Sequence, residues 1–131
     1  MNGDLLTALL VALGGGMGAM MRYALDTLVT RSLARRSSGA KWGPYPWGIT
    51  IVNLSGSFAL GVLLGAGVAW PALAAGLLGG YTTFSTTSLD TIRLARERRN
   101  GAAVLNAFGR LGAGARLAVC GIFLGAMLGR L

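Results

Sequence analysis

Apolar residues run along this chain in four long blocks separated by short polar or turn-forming stretches. The blocks cover, in round bounds, residues 5–25, 47–68, 72–89 and 102–130. A bilayer core of about 30 Å needs about 20 predominantly apolar residues in helical form. The pattern therefore predicts an all-α membrane protein, four transmembrane helices in one domain over residues 1–131. The second block contains no charge and opens on Trp47, a residue suited to the membrane interface. Ala69-Trp70-Pro71 reads as a tight turn with Trp70 in the headgroup layer. Arg31 to Pro46 and Asp90 to Asn100 read as polar connections. Met1-Asn2-Gly3-Asp4 lacks the basic region of a signal peptide, so the first block is expected to stay as a span.

Composition supports lipid as the solvent. Charged residues make up 12% of the chain, against about 25% in a soluble domain. The 22 glycines suit helices whose backbones approach closely in a bilayer. The net charge of +8 would suggest nucleic acid in a soluble protein. Here the basic residues cluster between apolar blocks, where the excess of Lys and Arg in cytoplasmic loops accounts for them. No nucleic-acid partner is expected.

The same residues orient the chain. Four spans put both termini and the Ala69–Pro71 turn on one face, which carries only Arg130. The other face carries Arg31, Arg35, Arg36 and Lys41 in one loop and Arg93, Arg96, Arg98 and Arg99 in the other. Eight basic residues against one predict a multi-pass protein of a bacterial plasma membrane, termini outside and basic loops cytoplasmic.

Catalysis finds few groups to use. The chain has no histidine, and Cys120 is its only cysteine, so neither a disulfide nor a multi-cysteine metal site can form within it. The acidic residues are Asp4, Asp26, Asp90 and Glu97, all near span ends or in loops. Nothing resembles a paired-carboxylate or phosphate-binding site, and no enzyme is predicted. The run Gly14-Gly15-Gly16-Met17-Gly18 lies inside an apolar helix and reads as a packing surface.

The third block is different from the others. It reads Gly79-Gly80-Tyr81-Thr82-Thr83-Phe84-Ser85-Thr86-Thr87-Ser88. Adjacent glycines followed by β-branched and hydroxyl residues make a weak helix. In lipid a helix break survives only where it is buried in protein or lines a cavity. Such a break exposes carbonyls to a cation and helix N-termini to an anion. The duller alternative is that the glycines pack helices together and the hydroxyls bond back to their own helix.

The string from Gly79 to Thr86 resembles the signature of the CrcB/Fluc fluoride channel family. Asn53 with Gly56-Ser57-Phe58 in the second block, and Gly15-Gly16-Met17-Gly18-Ala19 with Met21-Arg22-Tyr23 in the first, are similar to the family's other segments. The resemblance implies antiparallel dimers of four-helix subunits, the third helix broken mid-membrane, with two fluoride pathways and a structural sodium ion at the dimer interface. It implies that sodium rests on the backbone carbonyls of Gly79 and Thr82, a hard cation on oxygen ligands. It implies Asn53 as a pore amide donating to fluoride, and Phe84 as a pore ring presenting its positive edge. Thr83, Ser85 and Ser88 are the hydroxyl donors it suggests. Arg22 stands either at a pore mouth or as a snorkelling side chain at a span end.

Three departures qualify that resemblance. Thr87 occupies the place of the family's second pore phenylalanine. Gly48-Ile49 stands where the family has Gly-Thr. In the fourth block, Phe108, Gly112, Arg116 and Cys120 align with a polar track, so Arg116 would point where hydroxyls normally lie. An arginine at mid-membrane costs about 2.5–3.5 kcal/mol on insertion scales; there it attracts fluoride, traps it or plugs the pathway. Arg110, nearer the helix end, reads as snorkelling. A homodimer of inverted subunits also needs little charge bias, which this chain does not have. A heterodimer with a homologous subunit of opposite orientation follows, exporting fluoride passively. The alternatives are a non-conducting accessory subunit or a small multidrug or cation exporter, the latter needing a membrane-buried carboxylate. A reporter fused to the C-terminus and active only outside the cytoplasm should give signal in the native membrane; cytoplasmic signal would overturn the orientation.

Overall fold

The computed structural model describes residues 2–35, 45–68 and 70–130, which are helical with no strand among them. Arg36 and Lys41 of the charge bias, and Ala69 of the turn, lie outside the described residues. Helix α1 is Asn2–Ala34 and α2 is Trp47–Gly65. Helix α3 covers residues 72–81, wound as a π-helix over Ala72–Leu78 and as an α-helix over Gly79–Tyr81. Helix α4 is Ser85–Arg96. Helix α5, Asn100–Leu128, contains a π-wound segment at Leu105–Gly109.

Three of these, Gly3–Leu33 within α1, Trp47–Gly65 and Asn100–Leu128, are long and apolar enough to cross a membrane. The third apolar block does not form one such helix. After Tyr81 the backbone of Thr82 turns extended, at φ −80° and ψ 157°, and helix resumes only at Ser85. Between α4 and α5 the chain reverses through Arg98, whose φ is 58°. Glu97 beside it pairs with Arg93 at 3.2 Å and with Arg99 at 3.6 Å.

The helices associate in two close pairs, α1 with α3 and α2 with α5. Each pair is built on glycines four residues apart on both partners. In the α2–α5 pair, a Cβ added at Gly61 would strike the Ala118 carbonyl, and one at Gly65 that of Ile122. From the other side, Gly121 meets the Phe58 carbonyl and Gly125 that of Val62. In the α1–α3 pair, Cβ atoms at Gly14 and Gly76 would lie 2.6 Å and 2.8 Å from the carbonyl oxygens of Ala72 and Val11. Gly18 and Gly80 press on the Leu77 and Gly15 carbonyls in the same way. Lipid tails are as apolar as leucine, so association must come from close packing, and small residues at four-residue intervals permit it.

The interior of a single chain is correspondingly thin. Its buried apolar side chains are Ile49, Val52, Leu94 and Ala103 among the described residues. Many large apolar side chains, among them Leu5, Met20, Phe108 and Phe123, are exposed. Gly61→Leu should destabilise the bundle by about 1–3 kcal/mol through overpacking. Gly101→Ala, where a Cβ meets open space, should lie within about 1 kcal/mol of the parent and on the stabilising side. Unfolding titrations in detergent compare the two.

Candidate functional site

The break after Tyr81 frees backbone groups that a continuous helix would have paired internally. Asn53, one turn and a half into α2, takes up that task. Its Oδ1 accepts the Thr83 N–H at 2.9 Å, and its Nδ2 donates to the Thr83 carbonyl at 2.8 Å. One side-chain amide thus replaces both of the ladder bonds that Thr83 lacks. The second Nδ2 hydrogen goes to Thr87 Oγ1 at 3.0 Å. An amide has two N–H donors, and both are engaged here.

Thr87, 8% exposed, is the hub of the network that follows. Its hydroxyl accepts from Asn53 and from Arg110 Nη1 at 2.9 Å, and donates to the Thr83 carbonyl at 3.3 Å. Arg110 Nη2 reaches back to the start of α2, to the Pro46 carbonyl at 3.2 Å and to Thr50 Oγ1. One turn earlier on α5, the fully buried Asn106 donates to the Thr87 carbonyl at 3.0 Å and to Thr91 Oγ1 at 2.7 Å. Helices α2, α4 and α5 are therefore joined by side chains to one another and to the break.

An open cavity of about 620 Å³ lies beside this network. Asn53, Gly56 and Ser57 of α2 form one wall, Gly79, Thr82, Thr83 and Phe84 the break side, and Thr87 and Arg110 part of the remainder. Small residues of α5, among them Ala107, Gly114 and Ala118, complete it. None of the lining residues is a carboxylate.

The residues singled out in the sequence distribute unevenly around this cavity. Gly79, Thr82, Thr83, Asn53, Phe84 and Thr87 all line it. Phe84 is 83% exposed. Ser85 and Ser88 do not line it; Ser85 Oγ lies 3.2 Å from Thr83 Oγ1, and Ser88 Oγ donates to the Phe84 carbonyl at 3.1 Å. Arg22, half-buried on α1, also lies off the cavity. Arg116 is exposed, as are Phe108, Gly112 and Cys120, so that face of α5 turns outward. The α5 face towards the cavity instead runs through Arg110, Gly114 and Ala118.

Two site features were not anticipated. Arg110 is 6% exposed and bonded inside the bundle rather than snorkelling. Asn53 spends its donors on the break and leaves none for an ion. The signal for the first lies in the spacing: Asn106 and Arg110 are four residues apart on an apolar helix, hence on one face. Thr87 and Thr91 repeat that spacing on α4 opposite them.

The carbonyls before the break are suited to a hard cation. Thr82 commits both its N–H and its Oγ1 to the Leu78 carbonyl, each at 2.9 Å. The Thr83 N–H, which would close the next ladder bond on Gly79, is taken by Asn53. The Gly79 carbonyl and that of the extended Thr82 are thus left outside the regular ladder, beside the cavity. Transition metals have no comparable place, because no cluster of three His, Cys, Asp or Glu exists among the described residues.

Residues 9–122 match the family described as CrcB-like protein, Camphor Resistance (CrcB). The chain belongs to the CrcB family. A relative from Thermus thermophilus, named fluoride-specific ion channel FluC, is 43% identical over 92% of this chain and 95% of its own length. One of the same name from Rhodospirillum centenum is 41% identical over 92% of each chain. CrcB membership and the apolar helices make this a multi-pass membrane protein of an ion-channel family, not an enzyme family.

Within this CrcB chain, Asn53→Ala should cost about 1–3 kcal/mol per backbone group left unpaired at Thr83. Hydrogen exchange at residues 83–88 should rise with it, whereas Ser88→Ala, which removes one exposed bond, should leave exchange there nearly unchanged.

Proposed function

We propose that this chain is a subunit of a fluoride channel that lets fluoride leave the cell passively. The observation that carries the reading is the cavity at residues 82–84, where helix breaks beside Asn53 and Phe84, in a chain about 40% identical to proteins named as fluoride channels. The break lies mid-membrane, held open by the Asn53 amide. Thr83 offers a hydroxyl on the cavity wall, where Ser85 and Ser88 are not, and Phe84 offers a ring edge to a small anion. Asn53 acts by ordering the break, since its own donors are occupied.

The working unit is an antiparallel dimer with a homologous subunit inserted the other way. The exposed Phe84 ring, the open side of the cavity and the strong Lys and Arg bias support it. Sodium at the interface would be held by the carbonyls of Gly79 and Thr82 and would supply fixed positive charge between the subunits. Both termini lie outside and the basic loops in the cytoplasm of a bacterial cell. Arg22 lies off the cavity, and Arg116, exposed on α5, faces lipid or the partner.

One observation favours a second reading, a subunit needed for assembly whose own cavity does not conduct. Arg110 places a full charge on the cavity wall where a channel needs weak binding. A proton-coupled exporter is disfavoured, because no carboxylate lines the cavity for proton exchange.

Fluoride efflux from liposomes tests the proposal. The chain reconstituted with a homologue of opposite orientation should release fluoride, and the chain alone should not. In the active pair, Phe84→Ala should slow efflux by about an order of magnitude, as loss of roughly 1.4 kcal/mol from the barrier term would. Absence of efflux from the pair would overturn the channel assignment.

A further inference from the structure

Helix α4 has 12 residues, too few to cross a bilayer that needs about 20. Its two faces are unlike. Thr87 and Leu94 are buried, and Thr91 accepts a bond from Asn106, so this face is committed to the bundle. Leu89, Ile92, Arg93 and Arg96 are all exposed. They recur at steps of three and four residues, which makes them one stripe along the helix. The stripe is apolar at Leu89 and Ile92 and cationic from Arg93 onward.

The cations at this end exceed the acids that could neutralise them. Arg93, Arg96, Arg98 and Arg99 share one short segment with a single carboxylate, Glu97, which pairs with both Arg93 and Arg99. Arg93 binds it through Nε, and that leaves the terminal nitrogens of a side chain that is 73% exposed. Arg96 and Arg98 are exposed and have no carboxylate partner among the described residues. Asp90 divides its field between the buried Arg110 and Arg93.

Neighbouring residues set the depth of the stripe. A Cβ added at Gly48 would strike Asp26, and Asp26 is within electrostatic reach of Asp90. Trp47, beside Gly48 and 48% exposed, marks the membrane interface at that level. At 1.5 Å per residue, Arg93 and Arg96 lie about 4–9 Å beyond Asp90 along α4, in the layer of the phosphates. Leu89 stays on the side of the acyl chains.

We infer that the exposed stripe of α4 binds an anionic phospholipid, with its phosphate on Arg93 and Arg96 and its acyl chain along Leu89 and Ile92. The order of chemistry along the stripe, apolar and then cationic, is that of the lipid itself. Guanidinium groups suit phosphate because their donors form a planar fork. A lipid seated there gives α4 an apolar and ionic partner on the side where the chain supplies none. The inference goes beyond the channel reading and requires only that the bundle sits in a membrane.

Native mass spectrometry of the full-length chain in detergent, titrated with dioleoylphosphatidylglycerol or dioleoylphosphatidylcholine, provides the test. The phosphatidylglycerol should bind about tenfold more tightly or better, and glycerol 3-phosphate should not displace it. Arg93→Gln and Arg96→Gln should each weaken phosphatidylglycerol about fivefold, the worth of one arginine near an anionic surface. Ile92→Ser should weaken both lipids alike. Arg35→Gln removes the same charge from the end of α1 and should leave the preference nearly unchanged. Equal binding of the two lipids by the parent would overturn the site. Displacement by glycerol 3-phosphate would also overturn it, in favour of a site for free phosphate esters. A loss in Arg35→Gln as large as that in Arg93→Gln would overturn it in favour of a diffuse basic surface. If a variant does not fold, the two titrations of the parent decide.

Discussion

A membrane interior offers no water to a backbone that leaves its helix. That constraint governs the structure around residues 82–84, and the Asn53 amide answers it by binding both polar groups of Thr83. The other polar contacts extend from this exchange. Thr87 accepts from Asn53, Arg110 leans on Thr87, and Asn106 fixes the next carbonyl along α4. Remove the amide and the break has no partner from α2. The polar network is therefore a support for irregular backbone, and the cavity beside it exists because that support holds.

Glycine does the complementary task in the apolar regions. The two close helix pairs meet backbone to backbone, with no side chain interposed at Gly18, Gly61, Gly80 or Gly125. Helices held in this way cannot slide without collision, so the pairs form a firm frame. Polar bonds then specify how α2, α4 and α5 stand around the break. Packing supplies the rigidity, and hydrogen bonds supply the registration.

The architecture was largely legible in the sequence because lipid imposes length and composition directly on each apolar block. The weak segment at Gly79 to Ser88 was legible for a related reason, since glycines and β-branched hydroxyl residues are poor helix formers. What the sequence concealed was rotation. Arg110 and Arg116 are both arginines in one apolar helix, and only the facing of α5 decides which is buried. Asn106, Arg110, Gly114 and Ala118 turn inward at four-residue steps, two residues out of step with the Phe108, Gly112, Arg116 and Cys120 series. Asn53 was legible as a special residue, but its donors were assigned to an ion when the nearer demand was the backbone of Thr83.

The pairing of α2 with α5 also has a consequence for synthesis. α2 leaves the ribosome well before α5, and chains are made at roughly 5–20 residues per second. For some seconds α2 sits in the bilayer with Gly61 and Gly65 facing lipid and Thr50 without Arg110. The helix that seals it also delivers the charge, so Arg110 enters the membrane only when Thr50 and Thr87 are already there to receive it. A chain truncated before residue 110 would leave the glycine face of its second helix without the backbone it packs against.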